Sequence, residues 1–442
     1  MARGVVRAAG AGGRAVLAAA VLMLTLGPEA TGSTHEWTVA AYLSGDGDLR
    51  AAAHRYLDMV ARGTDRPGWA AAVQLDETDA EGHCLASRHL WLWEDGQRKH
   101  VSESVPGDEA GVNMGARETL GEFLGWVREQ APAQRYALII MGHGTGLAAP
   151  GGGLEGGLAN SGVALDTSAG GDCLSAVELA GGIEDGFGEG EAPGLDALFL
   201  DCCYGGCLEV AYELRDAAGY LTGAPGEMPN PGLPWDTILS SVSGDGEVEG
   251  RELVETCLRV AQEQDGEQTE RVSLTAIDLS GMSSARQSLR EFATAAAGRM
   301  AEIAPAVTLA HSRSATWGSQ RELCDAGVLL ESLAERLADD GLARAARAAA
   351  ETVKASVVGR AGEQGEQGVG IGIFFPGALS GVPESYEPQR CSFARDSGWG
   401  AFLRAYLHRL RDLMERKAER EDTDGSGATV QPPVVKAVVQ ET

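Results

Sequence analysis

The stretch Leu195-Asp-Ala-Leu-Phe-Leu-Asp-Cys-Cys-Tyr-Gly-Gly-Cys-Leu-Glu-Val-Ala-Tyr-Glu-Leu214 decides the fold. Leu195 to Leu200 is a short apolar run, the pattern of a strand buried on both faces. The run breaks at Asp201, Cys202 and Cys203 and passes Gly205 and Gly206. It then takes up helical spacing through Leu208, Ala211, Tyr212 and Leu214. A thiol set between a strand end and a helix start lies near unpaired backbone N–H groups, which favour the thiolate. A second stretch, Tyr136-Ala-Leu-Ile-Ile-Met-Gly-His-Gly-Thr-Gly146, has the same form. Parallel strands of an open α/β sheet bring their C-terminal tips to one edge, where ligands bind. If the two strands are neighbours, His143 meets Cys203 there, and the chain between them is long enough for a crossover.

Tyr136-Ala-Leu-Ile-Ile-Met-Gly-His-Gly144 and Asp201-Cys-Cys-Tyr-Gly-Gly-Cys-Leu-Glu-Val-Ala-Tyr212 resemble the two signatures of the clostripain family of cysteine peptidases, caspase-like enzymes of clan CD. The similarity extends to Trp37-Thr-Val-Ala-Ala-Tyr-Leu-Ser-Gly-Asp-Gly-Asp-Leu49, Leu274-Thr-Ala-Ile-Asp-Leu279, Gly370-Ile-Gly-Ile-Phe-Phe-Pro376 and Phe393-Ala-Arg-Asp-Ser-Gly-Trp399. It covers the chain from about Trp37 to Tyr406. The resemblance implies an α/β fold with a caspase-like open, mostly parallel sheet flanked by helices and a C-terminal α/β extension. It implies an endopeptidase with a His/Cys dyad and no third member. The family pattern Asp-x-Cys makes Cys203 the nucleophile, with His143 as acid and base. It also makes Asp201 a wall of the pocket for a basic residue, hence cleavage after Arg or Lys. A carboxylate there pairs with Arg in bidentate fashion. The backbone N–H groups of Gly144 and Cys203 are the oxyanion candidates, Gly144 permitting close approach.

Several alternatives stand beside this reading. Alternation along the strand puts Asp201 and Cys203 on one side and Cys202 on the other, yet alternation often fails at strand ends, so Cys202 is a rival nucleophile. Asp201 could instead bond loop N–H groups. The whole domain could be an inactive caspase-like binding module, or a transpeptidase or ligase using the same acyl-enzyme. Cys202, Cys203, Cys207 and His143 can be drawn as a zinc site, but adjacent cysteines fit the usual spacing poorly, and no metal ligand is assigned. No cofactor is required for the chemistry. Calcium supports activity in some members of the resembled family, and Asp46, Asp48 and Asp76, at strand ends, are candidates for it beside the simpler reading as solvated loop acids. Two departures from the family pattern matter. Ala224 and Pro225 remove a hydroxyl and a backbone donor from the expected pocket wall. And no Lys or Arg lies between His143 and Cys203, where relatives often cut themselves, so a single-chain enzyme is expected.

The chain has 442 residues, 44% hydrophobic and 23% charged, enough for a large core. Its net charge of −28 argues against nucleic-acid partners, which need basic surface. The acidity serves solubility or concentrates cationic substrates. The expected partners are proteins or peptides with basic residues. Arg3, Arg7 and Arg14, then Ala15 to Leu26, then small residues to Ser33, form a secretory signal; uncleaved, the segment is a membrane anchor. The expected division is 1–33 signal, 34–242 catalytic domain, 243–414 C-terminal part of the same peptidase unit and 415–442 disordered tail. The protein is expected to be secreted, with no stable membrane span after signal removal. Eight cysteines are present, and export permits disulfides whose pairing the sequence does not specify.

Overall fold

Apolar runs that alternate with amphipathic segments build a sheet covered on both faces. The structure is a computed structural model. It describes residues 35–78, 89–94, 97–102, 111–145, 162–188, 190, 192–243, 248–264, 272–314, 316–317, 322–362, 368–377 and 381–423. The signal segment, Cys84, the glycine-rich stretch 146–161, residues 244–247 just past the expected 242/243 boundary and the chain after 423 lie outside the described residues.

In chain order the elements are β1 (His35–Gly45), α1 (Arg50–Gly63), β2 (Trp69–Glu77), β3 (His89–Glu94), β4 (Gln97–Ser102), α2 (Arg117–Gln130), β5 (Ala133–Met141), β6 (Val163–Asp166), β7 (Asp172–Leu174) and α3 (Ala176–Phe187). There follow β8 (Leu195–Asp201), α4 (Leu208–Glu213), β9 (Ala218–Gly223), α5 (Trp235–Ser240), α6 (Gly250–Gln264), β10 (Leu274–Asp278), α7 (Met282–Ala297) and α8 (Met300–Arg313). The last are β11 (Thr316–Trp317), β12 (Leu323–Asp325), α9 (Ala326–Arg336), α10 (Asp340–Ala355), β13 (Val357–Ala361), β14 (Gly372–Phe374), α11 (Ser392–Asp396) and α12 (Trp399–Thr423).

Nine strands form the main sheet in the order β13-β10-β9-β8-β5-β1-β2-β3-β4. The central run β9-β8-β5-β1-β2 is parallel, and antiparallel strands close both flanks. The two-residue period of each central strand splits its side chains between two cores. Tyr42, Leu138, Ile140, Leu198 and Leu200 point to one. Val39, Leu43, Ile139 and Phe199 point to the other, where α1, α5 and α6 pack. The expected caspase-like α/β sheet is therefore what these runs build, because strands buried on both faces leave the interior of the sheet no polar alternative.

Three local readings are corrected. The spacing of Leu174, Val177 and Leu179 predicts one helix, but α3 begins after Leu174, which belongs to β7. Ser175 and Glu178 form a capping box that starts α3, satisfying two N–H groups at once. The apolar run Gly368 to Phe375 predicts one strand, but it contributes only β14, and to a separate sheet with β11 and β12. The segment from 415, expected to begin a disordered tail, continues α12 to Thr423, since Glu415 to Glu421 are strong helix formers even with no apolar stripe. Beyond Val242 the chain returns to the main sheet through β10 and β13.

Candidate active site

Register places the tips. Met141 pairs with Asp201 across β5 and β8, and Leu43 pairs with Met141 across β1 and β5. Two residues past these two paired tips come His143 and Cys203. Both line one cleft of about 140 Å³, together with Asp48, Tyr56, Asp201 and the segment from Met228 to Gly232. A Cβ on Gly144 would lie 2.5 Å from the Cys203 carbonyl oxygen and 3.0 Å from Cys202 Sγ. Only glycine lets these two loops close on each other.

Cys203 is half-buried, whereas Cys202 is 2% exposed and packs into the opposite core. Burial holds the Cys202 thiol well above its ordinary range. Burial also pushes the Cys203 thiol up; the Met228 N–H, donating to Sγ at 3.2 Å, pulls it down, and Glu227 nearby pushes it up again. The expected helix-start effect is not what acts here. Helix α4 begins at Leu208, with Cys207 at its N-cap, so its free N–H groups do not reach back to Cys203. The donor comes instead from a loop far along the chain.

His143 Nε2 lies 3.0 Å from Asp48 Oδ1, on the exposed side of the cleft. Its backbone is held as well: the Leu165 N–H donates to the His143 carbonyl, and Ser44 Oγ donates to the Leu165 carbonyl at 2.8 Å. Asp48, considered for calcium on sequence, faces the imidazole instead.

Asp201 is 4% exposed. Its Oδ2 accepts from Tyr56 Oη at 2.6 Å, Trp235 Nε1 at 2.9 Å and the Leu233 N–H at 3.2 Å. Trp235 is itself braced edge-on by Phe199, ring centroids 5.0 Å apart. Asp201 Oδ1 is buried and has no hydrogen-bond partner among the described residues. Burial pushes this carboxyl up to about 6 against the pull of its three donors. The site thus holds one carboxylate oxygen fixed and leaves the other unsatisfied.

The expected pocket wall at Ala224 and Pro225 is corrected. Ala224 is buried in the core and its carbonyl accepts from Gly206. Met228, Pro229, Asn230, Pro231 and Gly232 line the cleft in its place. Gly232 adopts φ +79°, and a Cβ there would fall 1.8 Å from Tyr56 Oη and 3.2 Å from Asp201 Oδ1. The seven described cysteines are free. Among the acids considered for calcium, Asp46 and Asp76 do come together, but with Asp166 rather than Asp48. Sequence reasoning missed Asp166, Tyr56, Trp235 and Met228. Asp166 ends β6, where the Met114 N–H, Ser168 Oγ and the Ala169 N–H hold it, and no periodic signal marks it.

The clostripain family model matches residues 86–405, more than two thirds of the chain. Among solved structures, an inactive zymogen C11 protease from Parabacteroides distasonis is 18% identical, with a TM-score of 0.60, covering 83% of this chain and 99% of that one. A secreted C11 cysteine protease from Bacteroides thetaiotaomicron, in complex with an irreversible peptide inhibitor, is 16% identical with a TM-score of 0.61 and covers 83% and 99%. At these identities the likeness is one of fold. No curated protein sequence matches the chain. With the family model spanning both signature strands and the sheet itself shared with C11 structures, the chain belongs to the clostripain family, and is a cysteine-type peptidase.

Proposed function

We propose that this peptidase is a secreted endopeptidase that cleaves after Arg or Lys, with Cys203 and His143 as its dyad. One observation carries the reading. Asp201, two residues from the thiol and lining the same cleft, keeps a buried carboxylate oxygen without a partner among the described residues. A guanidinium or ammonium entering the cleft supplies what that oxygen lacks.

The steps follow from the placement. The Cys203 thiolate forms the S–C bond to the scissile carbonyl, and the π electrons move to the oxygen. The N–H groups of Gly144 and Cys203 are assigned to that oxyanion. Collapse breaks the C–N bond while His143 passes a proton to the leaving nitrogen. His143 then takes a proton from water, which attacks the thioester and releases the thiolate. Asp48 holds the imidazole during both transfers; it is a positioning residue. The thiol is raised in the free enzyme by burial, so the thiolate forms as its proton passes to His143, and that proton is the one His143 then gives to the leaving nitrogen.

Export is proposed from the N-terminal pattern, and one C11 protease of the same fold carries the description secreted. No helix among the described residues is long and apolar enough to cross a membrane.

The test is labelling with an arginyl acyloxymethyl ketone, followed by peptide mapping and a panel of peptides with basic, acidic or apolar residues before the bond. Attachment at Cys203 and a basic preference are expected. Attachment at Cys202, or equal rates across the panel, removes the dyad or the pocket assignment respectively.

A further inference from the structure

Met228 to Gly232 line the cleft, and Glu227 is the next residue out. Three bonds tie its segment to the nucleophile loop. The Met228 N–H donates to Cys203 Sγ at 3.2 Å, the Tyr204 N–H donates to the Gly226 carbonyl at 2.8 Å, and Tyr204 Oη donates to Glu227 Oε1 at 3.0 Å. Tyr204 keeps a left-handed backbone, φ +63°, which is rare for a bulky residue and persists only where its surroundings hold it. Here it turns the residue after the nucleophile onto Glu227. A second aromatic ring lies one residue along, since a Cβ on Gly226 would come within 3.2 Å of the Trp317 side chain.

Glu227 is exposed, unlike Asp201. Its partner is a neutral phenol, which fixes direction without cancelling charge. Among the described residues no cation pairs with it. Its charge reaches the sulfur: after burial, Glu227 is among the groups that push the Cys203 thiol up. An uncompensated carboxylate opposes a nucleophile that must ionise. A cation delivered by the substrate cancels that opposition. An acid beside aromatic rings suits Arg or Lys, which gain from both.

We infer that Glu227 is a specificity-determining residue that takes a second basic side chain of the substrate, from the residue adjacent to the one held at Asp201. The inference rests on the Arg/Lys reading of Asp201 and deepens it. With the first basic side chain at Asp201 and the scissile carbonyl at Cys203 Sγ, the substrate backbone crosses the sulfur beside Met228. A long cationic side chain next along the peptide meets Glu227 there. The two acids act with different strength. The buried one governs the residue before the bond, and the exposed one adds a factor limited by solvent screening.

The experiment uses the full chain and peptides that share Arg before the scissile bond. Arg, Ala or Glu is placed first at the residue preceding that Arg, then at the residue following the bond. At one of these two positions kcat/KM should rank Arg above Ala above Glu, with Arg ahead of Ala by about two- to fivefold, the range for an exposed ion pair. The advantage should shrink as salt is added. Glu227→Gln should make Arg and Ala equal, and Glu227→Lys should place Glu ahead of Arg. Residue 227 is exposed, so both variants are expected to fold. Alkylation of Cys203 by iodoacetamide, which needs no peptide, should set in at lower pH in Glu227→Gln than in the unaltered chain. Asp201, the other acid that bears on this thiol, is the same in both. Equal rates for Arg and Ala at both positions, a preference for Arg that survives in Glu227→Lys, or an unmoved alkylation profile overturns the inference. The residue before the bond reads Asp201 and its neighbour reads Glu227, so loss of either preference leaves the other still measurable.

Discussion

At the scale of a residue, the proposed specificity turns on Asp201. Its carboxyl is pushed up from 3.8 to about 6 by burial. A raised carboxyl favours folding while protonated. That contribution is complete below about 3.8 and is lost as pH climbs through about 6, leaving the ionised group to cost on the order of 3 kcal/mol of stability at alkaline pH. In activity the sign is opposite, because only the ionised form pairs with Arg. For arginyl peptides, kcat/KM should therefore fall with a limb near 6 as pH drops, since this ratio reports the free enzyme. Asp201→Asn should remove that limb and cut the preference for Arg by at least about 30-fold, the low end for removing one member of a buried charge pair. Its Tm at alkaline pH should not fall. Asp48 is different. Its side chain is 77% exposed, so its hold on His143 is screened. Asp48→Asn should lower kcat by no more than about fivefold, the upper range for an exposed ion pair, with KM unchanged.

The segment from Met228 to Gly232 governs the cleft at the scale of an element. It caps the Cys203 sulfur at one end and overlies Asp201 at the other. Gly232→Ala tests the second role. The left-handed backbone alone should cost about 1–2 kcal/mol, and the added methyl collides with Tyr56. Cleavage of arginyl peptides should be lost more than labelling of Cys203 by a small alkylating agent, which needs no Asp201. Helix α3 offers a control away from the cleft. Ser175→Ala breaks the capping box and should lower stability by about 1 kcal/mol, read by denaturant titration, with kcat/KM unaltered.

At the scale of the whole molecule, five parallel strands send their C-terminal ends to one rim, and the cleft is assembled there from the tips of β5 and β8, the segment after β1 with α1, and the loop after β9. The flanking antiparallel strands β10 and β13 extend that sheet without reaching the cleft. The absence of Lys and Arg between His143 and Cys203 leaves no basic site for self-cutting there. The active protein should run as one chain, and intact-mass measurement should find no break between Gly144 and Cys202.

How far the sequence alone carried this protein depends on range. Leu195 to Leu200 and Tyr136 to Met141 declared themselves as buried strands, and the glycines after them declared the tips. Those are local facts, written in periodicity and in the backbone freedom of single residues. Parallel pairing then put His143 and Cys203 at one rim with little left to choose. The surroundings were not local. Asp201 meets Tyr56 across 145 residues and Trp235 across 34, His143 meets Asp48 across 95, and Asp46 meets Thr167 across 121. No pattern of spacing encodes such pairs, because loops carry no period. Only the packed chain decided which acid lies buried beside Cys203 in the cleft, which bonds the imidazole and which three gather together.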